Sequence, residues 1–514
     1  MEPVAVASRR RFHWNVGEVV RLYLVLSILA AVVLSIPSSF FESEAVRLGM
    51  TLGLIGMWRY GWWFVHFIRA QIYARVVFPP LRQRAEQMWE QGWRPRKLHF
   101  LMTTYKENRE TTARVLESIV REVRAVGVPS TLHVGLGDPS DELVIQEFFA
   151  NQGKGVELEV VMVRQNKPGK RFALGLALRA MARAGIDGDD PVVFMDGDTL
   201  LQPGCMRCCL PFFAMNKRLQ ALTTDEKVIV HGPRWVQNWL DMRFAQRHLA
   251  MQSHALSNKV LTLTGRMSVF RARNVVKQEF IRTVEADHLD HWLWGEFRFL
   301  SGDDKSTWYW LLKAGAELTY IPDALAITIE RIEGNGRERM FQNMLRWSGN
   351  ILRNGARAIS LGPKRVGWFI WWCLVDQRIA MWTTLIGPLS AIILSLYYSP
   401  LALLAYLIWV CITRSVLALV LYGYAGRINL WFPVFLYCNQ VLNALIKIYI
   451  SFRLPKQRWM NRGDQKAYQT RQGMLALAKH YMASYLTTLW LSVMSFVLMI
   501  FLGVVRPLPL ERLI

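Results

Sequence analysis

Long apolar runs stand near both ends of this chain, and none interrupts the stretch between about residues 93 and 360. A bilayer offers the backbone no water, so a crossing segment must satisfy its own N–H and C=O groups, as a continuous helix of about 20 residues does. Segments 20–36 and 48–68 open the chain, and 379–397, 401–421 and 482–504 close it, so five crossings are expected. Tyr398-Ser-Pro400 leaves room only for a hairpin turn between two of them. The run at 430–450 is broken by Asn439, Gln440, Asn443 and Lys447, which suits an interfacial or re-entrant helix.

Charge sets the expected orientation. Arg9, Arg10 and Arg11 precede the first run, whereas its connection to the second carries Glu42 and Glu44. Positive charge stays on the cytoplasmic side, which places the amino terminus and the 93–360 segment in the cytoplasm. The first run lacks an obvious cleavage site and reads as an anchor rather than a signal peptide. Arg59 lies inside the second, where an ionisable group either snorkels or lines a polar passage.

Lys and Arg number 62 against 39 Asp and Glu, a formal charge of +23, in a chain that is 52% hydrophobic. A membrane protein with a large cytoplasmic face accounts for both. The other reading of such charge is a nucleic-acid partner, but no recognised module or repeated basic–aromatic motif supports it. Cys205-Met-Arg-Cys208 has no second pair for a zinc site, so the six cysteines are expected to be buried free thiols.

In the central segment short strand-like runs at 98–102, 132–136, 156–163 and 192–196, the last apolar and β-branched, alternate with helical patterns at 110–125, from 140, and at 172–184. Such alternation specifies a doubly wound α/β domain with a mostly parallel sheet. Ligands bind such sheets in the crevice beyond the strands' carboxyl ends. Polar groups stand there after every run: Tyr105 and Glu107, then Asp138, then Lys170 and Arg171, then Asp196-Gly-Asp198. The last pair offers hard oxygen ligands for a divalent cation, although the tripeptide alone also reads as a turn. Asp138, Tyr105 and Glu107 suit a base or ribose, and Lys170 and Arg171 at a helix start suit phosphate. Taken singly, Tyr105 also reads as core filler, and Lys170 and Arg171 as a solvated helix end.

Beyond them, Phe299-Leu-Ser-Gly-Asp-Asp-Lys305 places carboxylates where an apolar run stops, as a general base would require. Asn343-Met-Leu-Arg-Trp347 follows on an amphipathic helix, its Trp suited to a sugar platform and Arg346 to phosphate. An aromatic and a base at a membrane interface is the other reading of that pair. A basic loop, Gln457-Arg-Trp-Met-Asn-Arg-Gly463, ends in glycine.

This ordered set resembles the processive membrane glycosyltransferases of family two, which include cellulose, chitin and hyaluronan synthases. The usual Gln-x-x-Arg-Trp motif has Asn343 at its first position here. Within the family the alginate-synthase catalytic subunits are similar over longer blocks, from the first span to about residue 505. Those blocks are Met57-Trp-Arg-Tyr60, Arg243-Phe-Ala-Gln-Arg-His248, Thr264-Gly-Arg-Met-Ser-Val-Phe-Arg271, Asp287-His-Leu-Asp-His-Trp292, Gly302-Asp-Asp-Lys-Ser306 and the loop of Gln457, Trp459 and Arg462.

The resemblance implies a GT-A-like glycosyltransferase domain embedded in an α-helical multi-pass protein of the bacterial inner membrane. Its expected parts are two spans (1–92), the catalytic domain (93–335), interface helices (336–378) and a second membrane region (379–514) with a gating-type loop at 453–466. It implies Mg²⁺ or Mn²⁺ on Asp196 and Asp198, Asp304 as general base, and Asp303 as a supporting or acceptor contact. Trp347 would carry the acceptor, while Trp459 and Arg462 close over the diphosphate. Lys305, Arg266 and His288 are its candidates for a donor carboxylate. The implied donor is GDP-mannuronate and the product β-1,4-linked polymannuronate. The implied partners are membrane lipids, a cyclic-di-GMP-binding co-polymerase subunit, and periplasmic and outer-membrane export proteins. Synthesis of another polysaccharide from a UDP-sugar is the alternative.

Overall fold

The structure, a computed structural model, describes residues 16–35, 44–152, 155–166, 169–332, 334–425, 428–459, 465–467 and 474–505. Contacts divide these into two units. The first comprises the described residues of Phe67–Val375 and Pro455–Gln469; the second, those of Phe12–His66, Asp376–Leu454 and Thr470–Ile514.

The first unit is built on an eight-stranded sheet in the order β3-β2-β1-β4-β7-β6-β10-β5. Its strands are β1 (Leu98–Thr104), β2 (Ser130–Leu136), β3 (Leu158–Arg164), β4 (Pro191–Asp196), β5 (Thr199–Leu201), β6 (Leu219–His231), β7 (Met267–Arg271) and β10 (Glu317–Arg331). Every residue of β1 and β2 is buried, as a strand covered on both faces requires. The four strands read from sequence run parallel as 3-2-1-4. The sheet then becomes mixed, because β7 lies antiparallel between β4 and β6.

Register is what gathers the site. Thr103 pairs with Asp196 across β1 and β4, and Thr104 with Leu136 across β1 and β2. The segments that follow these strands therefore emerge side by side. Since β7 runs backwards with Met267 opposite Met195, the residue before it, Arg266, arrives at the same edge. Its carbonyl accepts the Asp196 amide at 3.3 Å.

Helices cover the sheet and start where capping allows. Asn108 accepts the Glu110 and Thr111 amides to open Arg109–Val126, and Gly127 closes that helix at φ +68°. Lys170–Arg183 lies so close to β2 that a Cβ on Gly135 would stand 3.0 Å from the Ala173 carbonyl. The long helix Gly336–Ser360 is opened by Asn335, whose side chain accepts the Arg337 amide.

In the second unit and at its margins, five described helices are long and apolar enough to cross a membrane. They are Val16–Leu34, Trp368–Tyr397, Leu401–Ala425, Phe432–Ser451 and Met474–Phe501. This set differs from the expected one. Phe432–Ser451 joins it, because the few polar residues in that run leave an average hydropathy of 1.3, while Glu44–Ile72 is a continuous helix outside it. Leu404, Trp409, Leu477 and Tyr485 are exposed on these helices, as side chains facing lipid would be. Arg59 forms an ion pair with Asp376 at 2.5 Å, so charge buried among apolar helices meets its opposite. All six cysteines are free; Cys205, Cys209 and Cys373 are buried, whereas Cys411 and Cys438, expected to be buried too, are exposed on membrane-type helices.

Candidate active site

Asp196 ends β4 and the chain turns at once into β5. Gly197 permits that turn, since a Cβ there would meet the Thr103 carbonyl at 2.8 Å. A Cβ on Gly265 would stand 3.3 Å from Lys170 Nζ, 3.6 Å from Asp196 Oδ2 and 3.9 Å from Asp303 Oδ2. Gly265 also borders a cavity of about 20 Å³, whose wall is polar at Lys170, Thr264, Asp303, Asp304 and Thr307 and apolar at Leu174, Phe194, Met195 and Phe270. That is room for one water.

Lys170 opens its helix and is buried, with Nζ 2.6 Å from Asp196 Oδ1 and 2.8 Å from Asp303 Oδ2. One cation thus ties the end of β4 to the start of helix Asp303–Lys313. Arg171, next along, points elsewhere. Its guanidinium donates to the carbonyls of Thr283, Val284 and Ser301 and to Ser306 Oγ, holding the segment that leads into Asp303.

The two aspartates of that segment lie in the first turn of a helix, where backbone amides favour negative charge. Gly302 before them has φ +84° and abuts Asn350, whose Cγ would be 2.7 Å from a Cβ. Their environments pull them apart. Burial works to raise Asp303, but Lys170 and Arg171 more than offset it and hold its carboxyl below the usual range. Asp304 is raised, first by burial and then by the charge of Asp303. Lys305 is pushed down to about 8 by burial, against the pull of Asp304, and donates to the Leu261 carbonyl at 2.6 Å.

Arg266 donates to Glu226 at 3.3 Å with its guanidinium 4.9 Å from the Phe244 ring. Burial opposes its charge, but Glu226, Glu330, Asp198 and Asp196 outweigh that and raise its pKa. Arg247 shares Glu226 from the other side at 3.6 Å. Arg346 donates to Asn343, the Asn in the place of the usual Gln, at 3.3 Å and lies 5.3 Å from the Trp459 ring. Trp347 stacks on Trp239, ring centres 6.0 Å apart. Gln457 bonds the Arg298 carbonyl and the Leu300 amide, linking its loop to the Asp303 segment. Arg462 lies outside the described residues.

On the nucleotide side, Tyr105 packs over Gly137, where a Cβ would be 2.7 Å from its ring. The turn is shaped by Asp141, which accepts the Lys106 and Glu107 amides while Lys106 takes φ +50°. Asp138 accepts from the amide and hydroxyl of Ser140, which hold its carboxyl below the usual range.

The fold thus brings together Asp196, Lys170, Asp303, Asp304, Lys305, Arg266 and Arg346. His288 is not among them: it is exposed on the hairpin of β8 (His288–His291) and β9 (Gly295–Arg298). Its neighbour Asp287 is the buried member, accepting from Ser306 at 2.5 Å and from Arg357 at 2.9 and 3.0 Å. Asp141 and Glu226 are acidic residues that no motif singled out, and Asp287 opens a quoted block in which His288, not it, was the candidate. A helix-start Asp was the available signal for the first.

Residues 95–350 match the family model described as glycosyltransferase like family 2. Glycosyltransferase alg8 of Pseudomonas syringae pv. tomato is 39% identical over 442 residues, 86% of this chain and 89% of that protein. Glycosyltransferase alg8 of Azotobacter vinelandii is 39% identical over 462 residues, 89% and 92% of the respective chains. Among solved structures, a mannosyltransferase from Pyrobaculum calidifontis in complex with GDP-Man and Mn²⁺ covers 78% of this chain and 98% of its own, with 16% identity and a TM-score of 0.48. Sequence identity sustained from the catalytic segment into the apolar helices places this chain in the family of the Alg8 glycosyltransferases, with a family-two-like transferase domain.

Proposed function

We propose that this protein polymerises GDP-mannuronate into β-1,4-linked polymannuronate, the alginate precursor, by inverting transfer, and passes the chain across the bacterial inner membrane. The observation that carries the reading is a base set among cations. Asp304 has its carboxyl raised by burial and by Asp303, the charges of Lys305, Lys170 and Arg346 act on it, and Arg247 and Arg266 are held nearby in the same region on Glu226. A neutral hexose makes no use of so much positive charge; a uronate does.

Asp304 takes the proton from the acceptor's 4-hydroxyl as that oxygen attacks the sugar carbon opposite the departing GDP. Asp303, kept ionised by Lys170 and Arg171, holds Lys170 in place, and Arg171 acts through the backbone it braces. Asp196 and Asp198 fit a divalent cation by their chemistry: both offer hard oxygen donors, and Asp196 keeps one oxygen, Oδ2, off Lys170 and toward Gly265. Mg²⁺ or Mn²⁺ held there would neutralise the leaving diphosphate. Tyr105, Glu107 and Asp138 receive the base and ribose, Trp347 carries the acceptor sugar, and Trp459 with Arg462 closes the site to water. A cyclic-di-GMP-binding subunit and export proteins belong to this reading as partners, with the catalytic domain cytoplasmic.

The test is a membrane assay with GDP-mannuronate, Mg²⁺ and the partner subunit, reading polymer by size. UDP-sugars run alongside, and polymer from a UDP-sugar alone would overturn the reading.

A further inference from the structure

Inverting transfer needs the acceptor's hydroxyl within hydrogen-bond reach of the base, and a misplacement of about 1 Å costs roughly a hundredfold in rate. Here the base and the acceptor's platform stand on different helices. Asp304 lies in the first turn of Asp303–Lys313, and Trp347 lies in Gly336–Ser360. The strand β10 separates the two helices in the chain, so covalent continuity does not set their distance.

Trp347, Asn350, Asn354 and Arg357 follow one another at steps of three or four and share one face of their helix. Asn350 makes a first attachment, where its Oδ1 accepts the Ser301 hydroxyl at 3.0 Å just before the aspartates. Arg357 makes a second, two turns or about 10 Å further along. Its Nη1 donates to the two Asp287 oxygens at 3.0 and 2.9 Å and to Asn354 at 3.0 Å, and its guanidinium lies 4.0 Å from the Tyr309 ring centre. Tyr309 belongs to the helix of Asp304. So does Ser306, whose hydroxyl donates to Asp287 at 2.5 Å while accepting from Arg171 at 2.9 Å. Asp287 is only 4% exposed, so it joins the two helices where solvent screening is weak. Arg171 and Arg353 also interact with its charge, so neutralising it does not require Arg357. What Arg357 adds is the second attachment. One attachment leaves a hinge between helices, whereas two at separate levels fix their angle.

We propose that the Asp287–Arg357 pair is the positioning link that keeps the acceptor platform at Trp347 in register with the base Asp304. Both residues act through the helices they join rather than on substrate. The inference rests on the reading of Asp304 as base and Trp347 as platform given above.

Loss of register should favour water over the acceptor. In either reaction the bond from the sugar's anomeric carbon to GDP breaks, GDP leaves with the electron pair, and Asp304 takes the proton of the attacking hydroxyl. Only the nucleophile differs: the chain's 4-hydroxyl, or a water that needs no platform. The experiment uses full-length protein in membranes with GDP-mannuronate, Mg²⁺ and the partner subunit, and reads sugar built into polymer against free mannuronate released. In Arg357→Gln the ratio of polymer to free sugar should fall roughly tenfold or more, with donor hydrolysis and GDP affinity within about twofold of wild type. Asp287→Asn reaches the link from its other side and should lower the ratio similarly; it carries the test if Arg357→Gln fails to insert. The two changes combined should lower it no further than either alone, as members of one link do. Arg357→Lys keeps the charge and should retain most of the ratio, which loss of packing alone would not allow. An unchanged ratio, equal losses of polymer and free sugar, additive losses in the double variant, or a Lys variant as low as the Gln one would each overturn the link. Asp304→Asn in the same membranes separates the two readings: polymer at the wild-type rate there would overturn the base assignment instead.

Discussion

The loop 196–198 and the loop 302–304 each place two aspartates where an apolar segment stops, yet the fold treats them differently. Asp196 stands at the mouth of the crevice with its side chain a quarter exposed (25%), one oxygen on Lys170 and the other toward the gap at Gly265. Asp303 and Asp304 are adjacent, lie in a helix's first turn, and are driven in opposite directions by burial and by their neighbours. A separated pair at the mouth is suited to share a cation. An adjacent pair with split proton affinities is suited to supply one fixed charge and one proton acceptor. Identical side chains acquire different chemistry because counter-charges and solvent access differ.

The comparison breaks first at the mouth. Asp198→Asn should abolish polymer formation while leaving membrane insertion intact, because it removes a charged oxygen ligand from the surface of a crevice. Near-normal polymer from an inserted variant, with metal still required, would move the cation elsewhere. Next comes the interior pair. Asp304→Asn should bind GDP normally yet lose about a hundredfold or more in turnover, the low end for removing a general base. Collapse of donor affinity with normal turnover of bound donor would make Asp304 a donor ligand instead.

Arg171→Met tests whether the interior pair depends on its scaffold. It strips donors from three carbonyls and a hydroxyl and should destabilise the protein by about 2–4 kcal/mol, read as a lower unfolding midpoint in detergent. Unaltered stability with a selective loss of GDP affinity would return Arg171 to the phosphates.

A subtler effect concerns pH. If Asp304 is the base it acts when deprotonated, so activity should fall as pH drops through its raised pKa, above the ordinary carboxylate range near 4. Asp303 helps to raise it, hence Asp303→Asn should move that acid limb of the kcat/KM profile to lower pH, whatever it does to the maximum. A limb that stays in place would remove Asp303 as its cause. The smallest effect is expected outside both loops: His288→Ala, on an exposed hairpin, should change polymer yield by less than about twofold. A larger loss would bring that hairpin into the site.

The sequence by itself determined the alternation of strands and helices, the apolar helices, and the placement of charged residues past each strand. These follow from local patterns, a period of two or 3.6 and the chain-breaking residues between. Parallel strands in register then carried Tyr105, Asp138, Lys170 and Asp196 to one edge. Only the tertiary structure decided what long-range packing controls. The reversed strand β7 inserts Arg266 beside Asp196, and the helix Gly336–Ser360 supplies the Asn350 against which Gly302 turns. Two adjacent basic residues, Lys170 and Arg171, look alike in sequence but face a pair of carboxylates and a set of carbonyls. Trp239 and Trp347 meet across more than a hundred positions to hold Arg243. Local spacing carries no information on such partners, because proton affinity and side-chain direction depend on which charges and surfaces the completed fold brings within a few ångströms.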